Sequence, residues 1–294
     1  MRLGPDRVLG CPWCQHPFRI HTVLSGSTSG MEVWTDGYAR APMLPEPPEV
    51  ARCMGCKRYF FIRDACAHAA VTESGQTAHT GPGVHARELS ESALYEAIQE
   101  GLARDGTEEL KLRLLAWRAG NHPLRSNQGA ADRSCAMLLA KVGTAMGTIS
   151  FLFYILHLPR LAVPFLCATP LALLGALITI HGAVQARRAN AHALAARAQQ
   201  DSPFWQNLYA LETLLTPDSP ANRLLKAEVA RQCGRFDAAL VLLRDEVPDD
   251  FRPAADLIWQ LSQQGDRLPR RLRAMADSEP LHIVSRSRID DIAR

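Results

Sequence analysis

Two pairs of cysteines carry the strongest chemical signal in this chain. Cys11-Pro12-Trp13-Cys14 and Cys53-Met54-Gly55-Cys56 are Cys-x-x-Cys pairs separated by 38 residues. A two-residue spacer lets a tight knuckle turn two thiolates toward one point, and two facing knuckles supply the tetrahedral S4 set that zinc prefers. Four thiolates also close the coordination shell, leaving no position for the water that a catalytic zinc activates. The pattern predicts structural Zn2+ held by Cys11, Cys14, Cys53 and Cys56, with no catalytic residue and no other cofactor. A thiol redox pair instead wants one Cys-x-x-Cys at a helix N-terminus within a βαβ pattern, which the sequence lacks. Structural disulfides suit a secreted chain, but Met1 to Arg7 precedes Cys11 without an apolar run. No cleavable signal peptide is expected, and the N-terminal part is expected in the cytoplasm.

Other residues that could do chemistry are less well placed. Cys66, His68, His79 and His85 match no familiar metal spacing, and the stretch from Ala69 to Gly83 is rich in Thr, Ser, Gly and Ala. Residues 67–89 are therefore expected to be a flexible linker with incidental histidines. Glu96, Glu100, Glu108 and Glu109 fall on predicted helix faces, where carboxylates are usually solvated, with no His or Cys placed to work beside them.

The elements that must position the cysteines follow from local pattern. Phe18 to Leu24 and Met31 to Thr35 read as strands separated by the Ser/Gly turn at 25–30, and Asp36-Gly37 marks a tight turn. Pro42, Pro45, Pro47 and Pro48 hold the next segment extended without ladder donors. Phe18 follows the first knuckle, and Tyr59, Phe60 and Phe61 follow the second, as expected of strands that cover a metal site. Such a unit has little core of its own, whereas structural zinc supplies on the order of 10–16 kcal/mol in model fingers.

Val33-Trp34-Thr35-Asp36-Gly37-Tyr38, the run Ala41-Pro42-Met43-Leu44-Pro45-Glu46-Pro47-Pro48 and the second knuckle resemble an uncharacterised family of bacterial zinc-ribbon proteins, over residues 8 to 64. The resemblance implies the same four cysteines as metal ligands and no catalytic residue. The glycine that usually follows each Cys-x-x-Cys is replaced by Gln15 and by Lys57.

Downstream, Leu94, Ile98 and Leu102 recur at helical spacing after Ser90, and Glu108 to Trp117 forms a second amphipathic helix that Gly120-Asn121-His122-Pro123 should end. The chain then becomes apolar. Eighteen residues between Lys141 and Arg160 and 26 between Arg160 and Arg187 carry no formal charge. This pattern predicts a transmembrane helical hairpin over 135–186. Gly143 and Gly147 form a small-residue pair through which a homo-oligomer could pack. Arginines flank both ends of the hairpin, so both termini are expected to be cytoplasmic, in a bacterial inner membrane with the lipid bilayer as a partner.

From Gln185 onward helices are expected at Pro203 to Leu215, Pro220 to Cys233, Arg235 to Glu246, Ala254 to Gln263 and Arg270 to Met275. Ala227, Gly234, Phe236 and Ala239 match the pattern of one tetratricopeptide hairpin, so the region resembles a TPR-like helical domain. Basic and acidic residues number 15 and 15 in 1–134, 2 and 0 in 135–184, and 16 and 15 thereafter. No part is basic enough to make nucleic acid the expected partner.

The sequence thus predicts a mainly α protein with a small N-terminal β zinc ribbon (1–66), a linker (67–89), amphipathic helices (90–134), a two-helix transmembrane hairpin (135–186) and a C-terminal TPR-like bundle (187–294). The role it suggests is that of a non-catalytic, membrane-anchored scaffold or adaptor binding a protein partner at the cytoplasmic face. A membrane-tethered nucleic-acid-binding ribbon and a thiol oxidoreductase are the alternatives.

Overall fold

A computed structural model of the chain describes residues 1–67, 84–126 and 202–272. The chain divides into two compact units, one formed by Met1–Gly120 with Pro203–Arg294 and the other by Asn121–Ser202. In the second unit the described residues 121–126 continue a helix, in which Ser126 Oγ donates to the Pro123 carbonyl at 2.9 Å.

In the first unit the N-terminal strands are β1 (Arg2–Leu3), β2 (Arg7–Gly10), β3 (Pro17–Ile20), β4 (Val23–Ser25), β5 (Glu32–Trp34) and β6 (Ala39–Arg40). They are followed by β7 (Val50–Arg52), β8 (Tyr59–Phe61), β9 (Cys66–Ala67) and β10 (Val84–His85), and β11 (Arg271–Leu272) lies near the far end of the chain. Two hairpins hold the cysteines. β2 and β3 pair antiparallel with Gly10 opposite Pro17, and β7 and β8 pair with Arg52 opposite Tyr59, so each Cys-x-x-Cys loop closes one hairpin. Strand β9 extends the first hairpin along β2, and β10 extends it along β3 in parallel. The predicted strand from Phe18 to Leu24 is split between β3 and β4, because Val23 to Ser25 pairs back with β1. At the predicted Asp36-Gly37 turn, Gly37 takes φ 69°, and the Trp34 N–H donates to the Tyr38 carbonyl at 2.9 Å to start β6.

Helices supply the rest. α1 (Glu91–Gln99) starts where the Ser90 hydroxyl accepts the Ala93 N–H, the usual way of satisfying an orphan donor in the first turn. α2 begins at 106 and is helical through 126. Then come α3 (Pro203–Leu214), α4 (Pro220–Gln232), α5 (Phe236–Leu242) and α6 (Arg252–Gln263). Between α4 and α5, Gly234 takes φ 80° and the Arg235 N–H reaches back to the Ala230 carbonyl at 2.9 Å. That is the left-handed cap at which helices commonly stop. Ala227 and Ala239 are fully buried, small enough to let α4 and α5 approach closely.

The buried apolar side chains form four clusters. Cys11, Ala51, Cys53 and Phe60 pack around the knuckles, and on the next layer Val50 and Phe61 pack with Leu94, Leu112 and Ala116. Trp117 and Leu114 meet Leu208, Leu211 and Val229. Farther along, Leu224 and Ile258 meet Val33 of β5 and Leu272 of β11. The segment between the two knuckles is therefore seated on the C-terminal helices.

Several expectations are corrected. Arg270 to Met275 was expected as helix, but Arg271–Leu272 is strand, since the free edge of β5 offers pairing at Trp34 and Val33 and buries Leu272. The second helix does not end at Gly120-Asn121-His122-Pro123. A Cβ on Gly120 would lie 2.8 Å from Glu91 Oε1 and 3.0 Å from Phe204 Cδ2, so this glycine serves close packing rather than a stop.

The fold class is corrected as well. No helix among the described residues is long and apolar enough to cross a membrane. α4, at 13 residues, spans about 20 Å at 1.5 Å per residue, short of the ~30 Å hydrocarbon core. The longer α2 carries Glu108, Glu109, Lys111, Arg113, Arg118 and Arg125. The expected two-helix transmembrane hairpin over 135–186, with Gly143 and Gly147, lies outside the described residues. Because no described helix can span a bilayer, the membrane anchor and the inner-membrane location are withdrawn.

Candidate metal centre

Each knuckle is built the same way. In the first, the Gln15 N–H donates to the Cys11 carbonyl at 2.9 Å and the Cys11 N–H to the His16 carbonyl at 3.0 Å. In the second, the Lys57 N–H donates to the Cys53 carbonyl at 3.0 Å and the Cys53 N–H to the Arg58 carbonyl at 2.9 Å. Both turns need a left-handed residue directly after the second cysteine. Gln15 (φ 59°) and Lys57 (φ 64°) are the non-glycine residues with positive φ among those described. The missing glycines therefore leave the knuckle shape intact and load it with backbone strain.

The knuckles face each other. Cys11 Sγ stands 3.8 Å from Cys56 Sγ and Cys14 Sγ 3.5 Å from Cys53 Sγ, and all four sulfurs lie within 4.8 Å of one another. Four sulfurs placed ~2.3 Å from a common tetrahedral centre stand roughly 3.8 Å apart, so the set fits one S4-bound ion. The distances exclude sulfur–sulfur bonds, and the cysteines are free thiols.

Burial divides the four. Cys11 and Cys53 are buried, Cys56 is half-buried and Cys14 is exposed. Desolvation pushes the Cys11 thiol up to about 12 and also raises that of Cys53. The His16 backbone N–H, reinforced by the neighbouring sulfurs, draws Cys14 down to about 7. Buried thiols keep their protons unless a cation replaces them, which couples metal binding to proton release.

The surroundings hold the knuckles from one side and leave the other open. Tyr59 donates its hydroxyl to Glu96 Oε2 at 2.6 Å, and burial with that carboxylate nearby pushes the phenol up to about 12. Arg52 lies 5.1 Å over the Tyr59 ring. At the tips of the knuckles Trp13 and Met54 are 60% and 59% exposed, and Arg58 lies 5.4 Å over the Trp13 indole.

All four predicted ligands are thus brought together. Cys66 is exposed, accepts from Gln15 Nε2 at 3.6 Å and stays out of the set. Cys233 is half-buried on the far helices, its thiol pushed up to about 11 by desolvation. Cys135 and Cys167, like His68 and His79, lie outside the described residues.

Three groups escaped the sequence reading. His85, expected to be incidental, lies with His21 and Asp6 in a second cluster of potential ligands. Glu108, expected on a solvated face, is buried; its carboxylate accepts from the Arg104 backbone N–H at 2.7 Å, from Arg104 Nε and from Arg63. The Asp105-x-x-Glu108 spacing is a capping-box signal that could have flagged it. Glu228, Arg231 and Gln232 are buried together, and two charged residues and a glutamine inside one amphipathic pattern were their only sign.

Comparison with known proteins finds no matching family model, no matching curated protein and no matching solved structure.

Proposed function

We propose that the protein is a non-catalytic scaffold or adaptor, folded around one structural zinc ion in a ribbon of two knuckles, that binds a protein partner. The observation that carries this reading is the mutual approach of four sulfurs at S4 spacing, a closed ligand set from two hairpins. Tetrahedral S4 sites take zinc or iron, and the resemblance of this segment to zinc-ribbon proteins favours zinc. Trp13 and Met54 favour a protein partner, because large apolar side chains held in solvent on a rigid turn are typical binding anchors.

Metal analysis of the full chain is the test. Wild type washed with a mild chelator should retain one zinc per chain, and Cys53→Ser with Cys56→Ser should retain none. Unchanged zinc in that variant would overturn the ribbon. For the partner, photo-crosslinking from position 58, where the exposed Arg58 lies over Trp13, should capture a protein that the same probe in a Trp13→Ala, Met54→Ala background, still loaded with zinc, no longer captures. Equal capture by both would remove this surface from the reading.

A second reading, thiol oxidoreductase, draws on the exposed Cys14 and its lowered pKa. Turnover of a dithiol substrate by the zinc-loaded chain would favour it, and thiols fully protected by the metal would dismiss it.

A further inference from the structure

Asp6, His21 and His85 come from three separate stretches of chain and meet at the end of the β2–β3 hairpin opposite the knuckle. Asp6 directly precedes β2, and His21 directly follows β3. His85 arrives from 64 positions downstream of His21 because β10 pairs in parallel with β3, setting His85 against Arg19. Asp6 Oδ1 is 2.9 Å from His21 Nδ1, and Asp6 Oδ2 is 3.5 Å from His85 Nε2. The two imidazoles are stacked, with centroids 4.0 Å apart and planes 21° from parallel.

We infer that Asp6, His21 and His85 form a second metal site, distinct from the cysteine site, for a divalent transition metal of the zinc, cobalt or nickel type. Two imidazoles and one carboxylate are the donor set that such borderline ions accept, with open positions left for water. Oxygen and nitrogen ligands held ~2.1 Å from one ion stand roughly 3.0–3.4 Å apart, between the octahedral and tetrahedral limits. The 2.9 and 3.5 Å separations bracket that range; because the two rings stack, the exposed His21 imidazole must also turn so that both ring planes meet at the ion. Of the two ring nitrogens of His85, Nε2 faces the Asp6 carboxylate and is the one offered to an ion; Nδ1 is buried and meets no hydrogen-bond partner among the described residues.

One neighbour works against the ion. Arg19 Nη1 lies 4.0 Å from Asp6 Oδ2, and its positive charge repels a second cation. The site is therefore the weaker of the two. An ion there joins β2, β3 and β10, fastening β10 onto the hairpin.

The test is cobalt(II) titration of the metal-free full chain under reducing conditions, followed by absorption and by equilibrium dialysis. Wild type should bind two equivalents. The first brings sulfur-to-cobalt charge-transfer bands, and the second adds bound metal without increasing them. His21→Ala, a change at an exposed side chain, should bind one equivalent with the charge-transfer bands unchanged, and His85→Ala should do the same. A wild type that saturates at one equivalent with full charge-transfer intensity, or a His21→Ala chain that still binds two, would overturn the site. Failure of the cysteine site reads differently, as absence of the charge-transfer bands in wild type.

Discussion

Thr35 donates its hydroxyl to Glu228 Oε1 at 2.8 Å, a buried hydrogen bond between residues 193 positions apart. The same oxygen accepts from Arg231 at 2.6 Å and from Gln232 Nε2 at 2.9 Å, while Glu228 Oε2 accepts from Arg231 Nε at 2.8 Å. Gln232 Oε1 in turn accepts the Trp117 indole N–H at 3.0 Å. On the other side, Thr35 Oγ1 accepts the Arg270 N–H at 3.0 Å, and Arg231 donates to the Leu268 carbonyl at 2.8 Å. One carboxylate thus joins the segment between the knuckles, α2, α4 and the approach to β11.

Removing that carboxylate leaves a buried guanidinium without its counter-charge. Glu228→Ala should cost about 3–5 kcal/mol, the range for breaking a buried pair from one side. Thr35→Val, which leaves the ion pair intact, should cost about 1–3 kcal/mol. Urea denaturation of the two variants gives the comparison, and equal losses would mean that the ion pair contributes nothing.

Gln15 and Lys57 hold a conformation that costs a side-chain-bearing residue roughly 1–2 kcal/mol. Gln15→Gly and Lys57→Gly should each raise stability by about 1 kcal/mol, with zinc content unchanged. Lys57→Val should move the other way and weaken zinc retention in a chelator competition.

Glu108 should make stability depend on acid. Hydrogen bonds from Arg104, with Arg63 nearby, hold its carboxyl below the ordinary value of 4.5. Its folded pKa is therefore depressed. The contribution is fully present above pH 4.5 and is lost as pH falls from there through the depressed value. Glu108→Gln should be less stable than wild type at pH 7, and the gap should narrow below pH 4. A constant gap in urea midpoint at both pH values would contradict the assignment.

Gly120 and Gly106 both lie in α2, in different surroundings. Alanine gains about 1 kcal/mol of helix propensity over glycine. At Gly106 a Cβ meets nothing within 4 Å, and Gly106→Ala should be neutral or stabilising. At Gly120 the new methyl would press on Glu91 and on the buried Phe204 ring, so Gly120→Ala should lose about 1–2 kcal/mol net. In thermal melts Gly120→Ala should fall below wild type, whereas Gly106→Ala should match or exceed it.

The sequence by itself determined the features that are local. Cys11, Cys14, Cys53 and Cys56 were legible because a Cys-x-x-Cys knuckle is one turn of chain. α1 and the break at Gly234 were legible because a cap and a left-handed glycine act within a few residues. The hairpin turn at Asp36-Gly37 belongs with them. Tertiary structure alone decided what depends on partners far along the chain. Arg271 and Leu272 became a strand because the edge of β5 was open to them, and Gly120 stayed helical because Phe204 and Glu91 fill the space beside it. His85 became a neighbour of His21 only through parallel pairing of β10 with β3. The uncharged run after Lys141, which suggested a membrane span, lies outside the described residues, and no described helix is long and apolar enough to cross a membrane. Glu228 shows the limit of local pattern, since a carboxylate in an amphipathic helix reads as solvated until Thr35, Arg231 and Gln232 close around it.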